Sequence, residues 1–175
     1  MGRRALRRRP RGPRVVLTRL FVGVFPPAPP REALHGILPA ASRLTPIEKW
    51  HLTLVFLGDA PPSTVIPFLA DVPSPGRFEL RLSSGGQFGS AAWVGVEGDL
   101  AQLTELREDV RDALTLGGFP SDDRPFRPHL TVSYHSDGAL RRALAAHRGD
   151  SWPVTSFELV SSDEGRYERL AAWPL

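Results

Sequence analysis

His51-Leu52-Thr53-Leu54-Val55-Phe56-Leu57-Gly58 (HLTLVFLG) decides the fold of this chain, because its opening triplet returns as His129-Leu130-Thr131 inside RPFRPHLTVSYH, residues 124–135. In an extended strand successive side chains point to opposite faces, so a histidine and a threonine two apart stand side by side. In the first copy Leu52, Leu54 and Phe56 are then expected on the apolar face, and His51 and Thr53 on the other. In the second copy His129, Thr131 and Ser133 share one face, with Leu130, Val132 and Tyr134 opposite. Two histidine-bearing strands 78 residues apart, each preceded by a helix, suggest two similar half-domains facing one another across a groove.

Around these strands the pattern interleaves helices and strands. Leu20 to Phe25 reads as a largely buried strand, stopped by Pro26, Pro27, Pro29 and Pro30, with a helix from about Arg31 to Ala41. Gly58-Asp59 ends the first histidine strand, and a short helix lies between Ser63 and Ala70. Phe78 to Leu82 and Ala91 to Val96 read as strands separated by Gly85-Gly86 and Gly89. The clearest helix is Leu100 to Leu116, where Leu103, Leu106, Val110 and Leu114 form an apolar stripe and the acids and arginines a solvated face. A weaker helix covers Gly138 to His147, and Val154 to Ser161 and Tyr167 to Trp173 close the chain as strands.

Composition narrows the classes. At 175 residues the chain is expected to be one domain with a core that needs no staples. Its lack of cysteine excludes disulfides, thiolate metal sites and a thiol nucleophile. No apolar run approaches the roughly 18 residues of a membrane span, so a cytoplasmic, membrane-free protein is expected. The net charge of +3 is misleading, because residues 1–14 hold seven arginines and no acid. The remaining 15 basic and 19 acidic residues leave the body at −4. Residues 1–14 read as a disordered tail before a single domain over 15–175; arginine-rich, acid-poor segments also serve as RNA-holding arms and organellar presequences.

Two imidazoles can do acid–base work without a cofactor, one removing a proton from a nucleophile while the other delivers one to a leaving oxygen. Displacement at phosphorus suits opposed half-sites, since the attacking and leaving oxygens lie on opposite sides of the phosphorus. A zinc hydrolase fits less well: there is no H-x-x-x-H spacing and no acid close to either strand histidine, so no metal site is expected. Of the other histidines, His35 and His147 fall on presumed helices as surface residues, and His135 at a solvated strand end. A different class remains open, a non-catalytic RNA-end binder in which arginines hold phosphate.

HLTLVFLG together with Arg124-Pro125-Phe126-Arg127-Pro128-His129-Leu130-Thr131 resembles the two signatures of the two-histidine (2H) phosphoesterases, specifically the RNA 2′,3′-cyclic phosphodiesterases also called 2′-5′ RNA ligases. The likeness runs from Arg19 to Leu159. It implies an α+β, bilobal, pseudo-twofold fold with two antiparallel sheets flanked by helices around a central groove. It implies metal-independent, cofactor-free opening of RNA 2′,3′-cyclic phosphate to a 2′-phosphomonoester, and in some members reversible ligation. By the same resemblance His51 is the acid and His129 the base, Thr53 and Thr131 hold the phosphate, and Arg127 assists. The implied partners are RNA ends, such as tRNA fragments or similar oligonucleotides, met by a monomer. The chain departs from the family's pattern at Tyr134 and at Ser90-Ala91-Ala92, where arginines are usual; alternation assigns Tyr134 to the face opposite His129.

Overall fold

The computed structural model describes residues 17–120 and 125–175; the arginine tail over 1–14 lies outside them. Among these residues eight strands and four α-helices follow one another as β1 (Thr18–Val24), α1 (Ala28–Ile37), β2 (Leu52–Ala60), α2 (Pro62–Ala70), β3 (Phe78–Phe88), β4 (Ala91–Gly98), α3 (Leu100–Leu116), β5 (His129–Ser133), α4 (Gly138–Ala146), β6 (Arg148–Val154), β7 (Ser156–Asp163) and β8 (Arg166–Pro174). They form one eight-stranded sheet, order β6-β3-β4-β5-β2-β1-β7-β8, in which all neighbours are antiparallel.

This corrects the expectation of two sheets. Four strands lie on each side of a seam between β5 and β2, and the seam itself is a single register pair, Leu52↔Leu130. The two histidine strands are therefore neighbours at the middle of one sheet. The seam is reinforced from outside the strands: the Thr45 N–H and hydroxyl both donate to the Val132 carbonyl, at 2.8 and 3.1 Å, and the Ser133 hydroxyl donates to the Arg43 carbonyl. Trp50, fully buried, donates its indole N–H to the Thr45 hydroxyl at 2.9 Å and so fixes the approach to His51.

The core runs continuously across the seam, with Leu20, Val22, Leu52, Leu80, Leu82, Val94, Leu103, Leu106, Leu130 and Val132 all essentially inaccessible. Helices cross it as well. α1 packs on β6 and β3, and α3 packs on α2 and β2, so each half of the sheet is covered partly by a helix whose chain neighbours lie in the other half.

Several local expectations are refined. α1 starts at Ala28 and includes Pro29 and Pro30, because proline is tolerated in a first turn whose N–H groups have no helical partner. β3 runs through Gly85-Gly86. A Cβ on Gly85 would come within 2.6 Å of the Trp93 carbonyl oxygen, and one on Gly86 within 2.8 Å of the Trp93 ring. These glycines permit close pairing rather than ending the strand. β6 alternates only at its end, where Trp152 and Val154 are buried on either side of exposed Pro153, and the proline is accommodated because β6 is an edge strand. His147 is buried at the end of α4 rather than on the surface, where the chain turns directly into β6.

Candidate active site

Both H-x-T strands open onto one groove of about 1060 Å³ whose walls include His51, Thr53, His129, Thr131 and Arg127. The structure thus brings together all five residues singled out from the sequence. His135 is exposed and does not line the groove.

The two histidines are held alike. His51 Nδ1 lies 2.6 Å from the Lys49 carbonyl oxygen and His129 Nδ1 lies 2.6 Å from the Arg127 carbonyl oxygen. A carbonyl oxygen only accepts, so each Nδ1 carries the proton and donates it. In the neutral ring this leaves Nε2 as the basic nitrogen. At His51 that nitrogen is 3.0 Å from the Thr53 hydroxyl, which donates to it. Among the described residues Thr131 makes no corresponding bond to His129.

Their surroundings differ. His51 stacks on Phe21 with centroids 4.5 Å apart, lies 5.3 Å from Phe25 and meets the edge of Tyr167 at 5.5 Å. Arg169 lies over the Phe25 ring at 4.1 Å and pairs with the buried Glu158 at 3.1 Å. Burial lowers the His51 pKa from its ordinary 6.5 to about 4, the Lys49 carbonyl opposing and the charges of His129 and Arg169 adding to the shift. His129 instead meets its rings edge-on, Phe88 at 5.2 Å and Trp93 at 6.1 Å.

Strict alternation misplaces two groove residues. Gly23 pairs with Thr53 and Val22 with Val55, so Leu54 is an extra residue that shifts the parity of β2. Phe56, expected on the apolar face, is consequently 59% exposed and lines the groove. Tyr134 also lines the groove instead of facing away, because β5 ends at Ser133 and the chain bends: the Ser133 hydroxyl accepts the His135 N–H at 2.9 Å.

Other wall residues had no motif to mark them. Arg107 and Arg111 of α3 reach the groove, although the polar side of this helix was expected to be solvated throughout. Arg107 is buried, lies 5.4 Å over the Phe126 ring and pairs with Glu108, which Arg111 also meets at 2.7 Å. Their four-residue spacing on one side of the helix, beside the leucine stripe, was the available signal. Among the described residues no group of three or more potential metal-ligating side chains lies together, and no helix is long and apolar enough to cross a membrane.

Two H-x-T strands side by side at the centre of a curled antiparallel sheet, both facing one groove, make up the architecture of the two-histidine phosphoesterases. Within that class the chain belongs to the 2′-5′ RNA ligase superfamily, whose sequence profile matches residues 5–166. It is 33% identical to an RNA 2′,3′-cyclic phosphodiesterase of Geobacillus stearothermophilus over 89% of this chain, but spans only 56% of that relative's length. With the RNA 2′,3′-cyclic phosphodiesterase of Escherichia coli K12 it shares 31% identity over 90% of this chain and 96% of the relative. Among solved structures, Escherichia coli LigT complexed with 3′-AMP superposes with a TM-score of 0.77 at 28% identity, covering 91% of this chain and 98% of that one.

Proposed function

We propose that this protein opens RNA 2′,3′-cyclic phosphate ends to 2′-phosphomonoesters without a metal ion or other cofactor, by paired-histidine acid–base catalysis, and that the reverse chemistry joins RNA ends through 2′-5′ bonds. The observation that carries this is the matched pair of Nδ1-to-carbonyl bonds at 2.6 Å, which leaves two Nε2 atoms to serve a single groove. The names of the relatives supply the substrate.

In the proposed reaction water attacks phosphorus and gives its proton to one imidazole. The P–O3′ bond breaks on the opposite side, and O3′ takes a proton from the other, protonated imidazole. Thr53 and Thr131 donate hydrogen bonds to the phosphoryl oxygens, with Arg127 assisting, and exchange with solvent restores both rings. The resemblance makes His51 the acid and His129 the base. Burial favours the opposite assignment, because it keeps His51 neutral near pH 7 and so suits it to accept the proton of water. The two halves of the sheet are taken as pseudo-twofold copies, and the protein as a cytoplasmic monomer acting on tRNA fragments or similar oligonucleotides.

Product analysis after incubation with a 2′,3′-cyclic-phosphate oligonucleotide in excess chelator tests this reading. A 2′-phosphate product is expected. A 3′-phosphate product, or activity that appears only when zinc is restored, overturns it; tight binding with no turnover favours the RNA-end binder.

A further inference from the structure

Arg169 is placed to act on His51 without touching substrate. It is not a wall of the groove, and neither are its two partners, Phe25 and Glu158. Its guanidinium lies over the Phe25 ring at 4.1 Å, and the same ring lies 5.3 Å from the His51 imidazole with 31° between the two planes. The guanidinium is therefore no farther from the imidazole than those two distances added together.

Glu158 holds the cation there. Its Oε1 accepts from Arg169 Nη1 at 3.1 Å, while its Oε2 is buried and has no hydrogen-bond partner. Burial pushes the Glu158 carboxyl up and the Arg169 charge pulls it back down, so the carboxylate depends on Arg169 for its ionisation. The other groups around His51 do not duplicate this arrangement. Phe21 and Phe25 bring no charge, Thr53 offers a hydroxyl, and burial keeps the Tyr167 phenol neutral. The Lys49 ammonium is engaged by the Gly165 carbonyl and the Tyr167 ring. Across the groove, His129 is the other group whose positive charge opposes protonation of His51.

We infer that Arg169, anchored by Glu158, is a positioning residue for His51: it holds the Phe25 ring and stands as a permanent cation near the imidazole, which keeps His51 neutral in the free enzyme. The inference rests on the proposed role of His51 in proton transfer. A fixed positive charge opposes a second one forming nearby, and this opposition adds to the desolvation of the ring. A guanidinium is charged at every working pH, so its effect does not titrate away as that of an imidazole does.

The test is an NMR titration of the histidine rings in wild type, Arg169→Met, Arg169→Gln and Arg169→Lys, with the His51 resonance assigned by its absence from His51→Gln. Profiles of kcat/KM against pH on adenosine 2′,3′-cyclic phosphate accompany it. Both neutral variants should raise the His51 midpoint from about 4 toward 6.5, by roughly half to one pH unit for a single charge partly screened by water at this separation. Arg169→Lys keeps the charge and should titrate as wild type does. The limb of the kcat/KM profile that belongs to His51 should move in parallel. An unchanged midpoint in both neutral variants, or a rise in Arg169→Lys equal to theirs, overturns the inference. If the midpoints move as expected but no cyclic phosphate is hydrolysed, the action of Arg169 on the imidazole stands and the phosphodiesterase reading falls.

Discussion

The two histidine half-sites share a local geometry and differ in almost everything beyond it. Each imidazole donates through Nδ1 to the carbonyl two residues earlier at 2.6 Å. That contact is made to the backbone just before each H-x-T segment, and it is the same in both although the residues there differ, Lys49-Trp50 and Arg127-Pro128. Beyond it, His51 lies against the faces of Phe21 and Phe25 with its pKa driven down to about 4, whereas His129 meets only ring edges. A local backbone contact can thus fix which nitrogen is left to face the groove, while the packing around it decides how readily that nitrogen takes a proton.

The largest expected effect comes from removing either imidazole. Because general acid or base catalysis contributes roughly 10² to 10⁴ in rate, His51→Ala and His129→Ala should each lower kcat by about that order, measured on a 2′,3′-cyclic-phosphate dinucleotide with the fold checked by circular dichroism. Sulfur at the bridging 3′ position then separates the roles, since a thiolate leaves without needing a proton. If His51 is the acid, as the resemblance implies, the thio substrate should restore most of the loss in His51→Ala and none in His129→Ala. Rescue of His129→Ala alone reverses the roles, and rescue of neither assigns both histidines to positioning or charge stabilisation.

A second effect belongs to His51 alone. Its folded pKa of about 4 lies below the ordinary 6.5, so between those values the unfolded chain binds more protons than the folded one. Stability should therefore be fully present above pH 6.5 and fall as the pH drops toward 4, by up to about 3 kcal/mol. Urea melts at pH 7.5 and 4.5 should show this loss in wild type and a smaller one in His51→Gln. An equal loss in both would mean that the ring is less desolvated than its packing indicates.

The threonines offer a smaller contrast. Thr53 is bonded to His51 at 3.0 Å before any substrate arrives. If phosphate replaces that bond, Thr53→Val and Thr131→Val should lower kcat/KM alike, by about two- to tenfold, the cost of one hydrogen bond. A loss for Thr53→Val that exceeds the Thr131→Val loss tenfold would show that the resting bond persists in the reaction. The smallest effect is expected from deleting residues 1–14: dinucleotide hydrolysis should stay within about twofold of the full chain, while longer RNA binds less tightly at low salt, where counterion release rewards basic contacts.

What the sequence disclosed about this site followed from how local each signal was. Alternation within H-x-T predicted that each histidine shares a face with its threonine, and both pairs line the groove, because a two-residue period needs only an extended backbone. The apolar stripe of α3 gave its limits, Leu100–Leu116, as a long amphipathic helix does. Phe56 and Tyr134 were assigned to the wrong faces because an extra residue at Leu54 and a bend after Ser133 each reset the alternation. β6 went unseen because an edge strand tolerates Gly149, Asp150 and Pro153, none of which signals a strand. Tyr167 reaches His51 from β8, which β1 and β7 separate from β2, and no local period encodes that proximity.

The strand order also sets a timetable for synthesis. Residues 78–154 supply every strand of the His129 half in one unbroken stretch, whereas the His51 half joins β1 and β2 to β7 and β8, which leave the ribosome after all four strands of the other half. The His129 half can pair its strands while the chain is still growing. The His51 half must wait, because β1 has no neighbour on its far side until residues 158–161 emerge to pair with it. Tyr167 and Arg169 follow only after that, so the aromatic enclosure around His51 is completed after every strand of the His129 half has emerged.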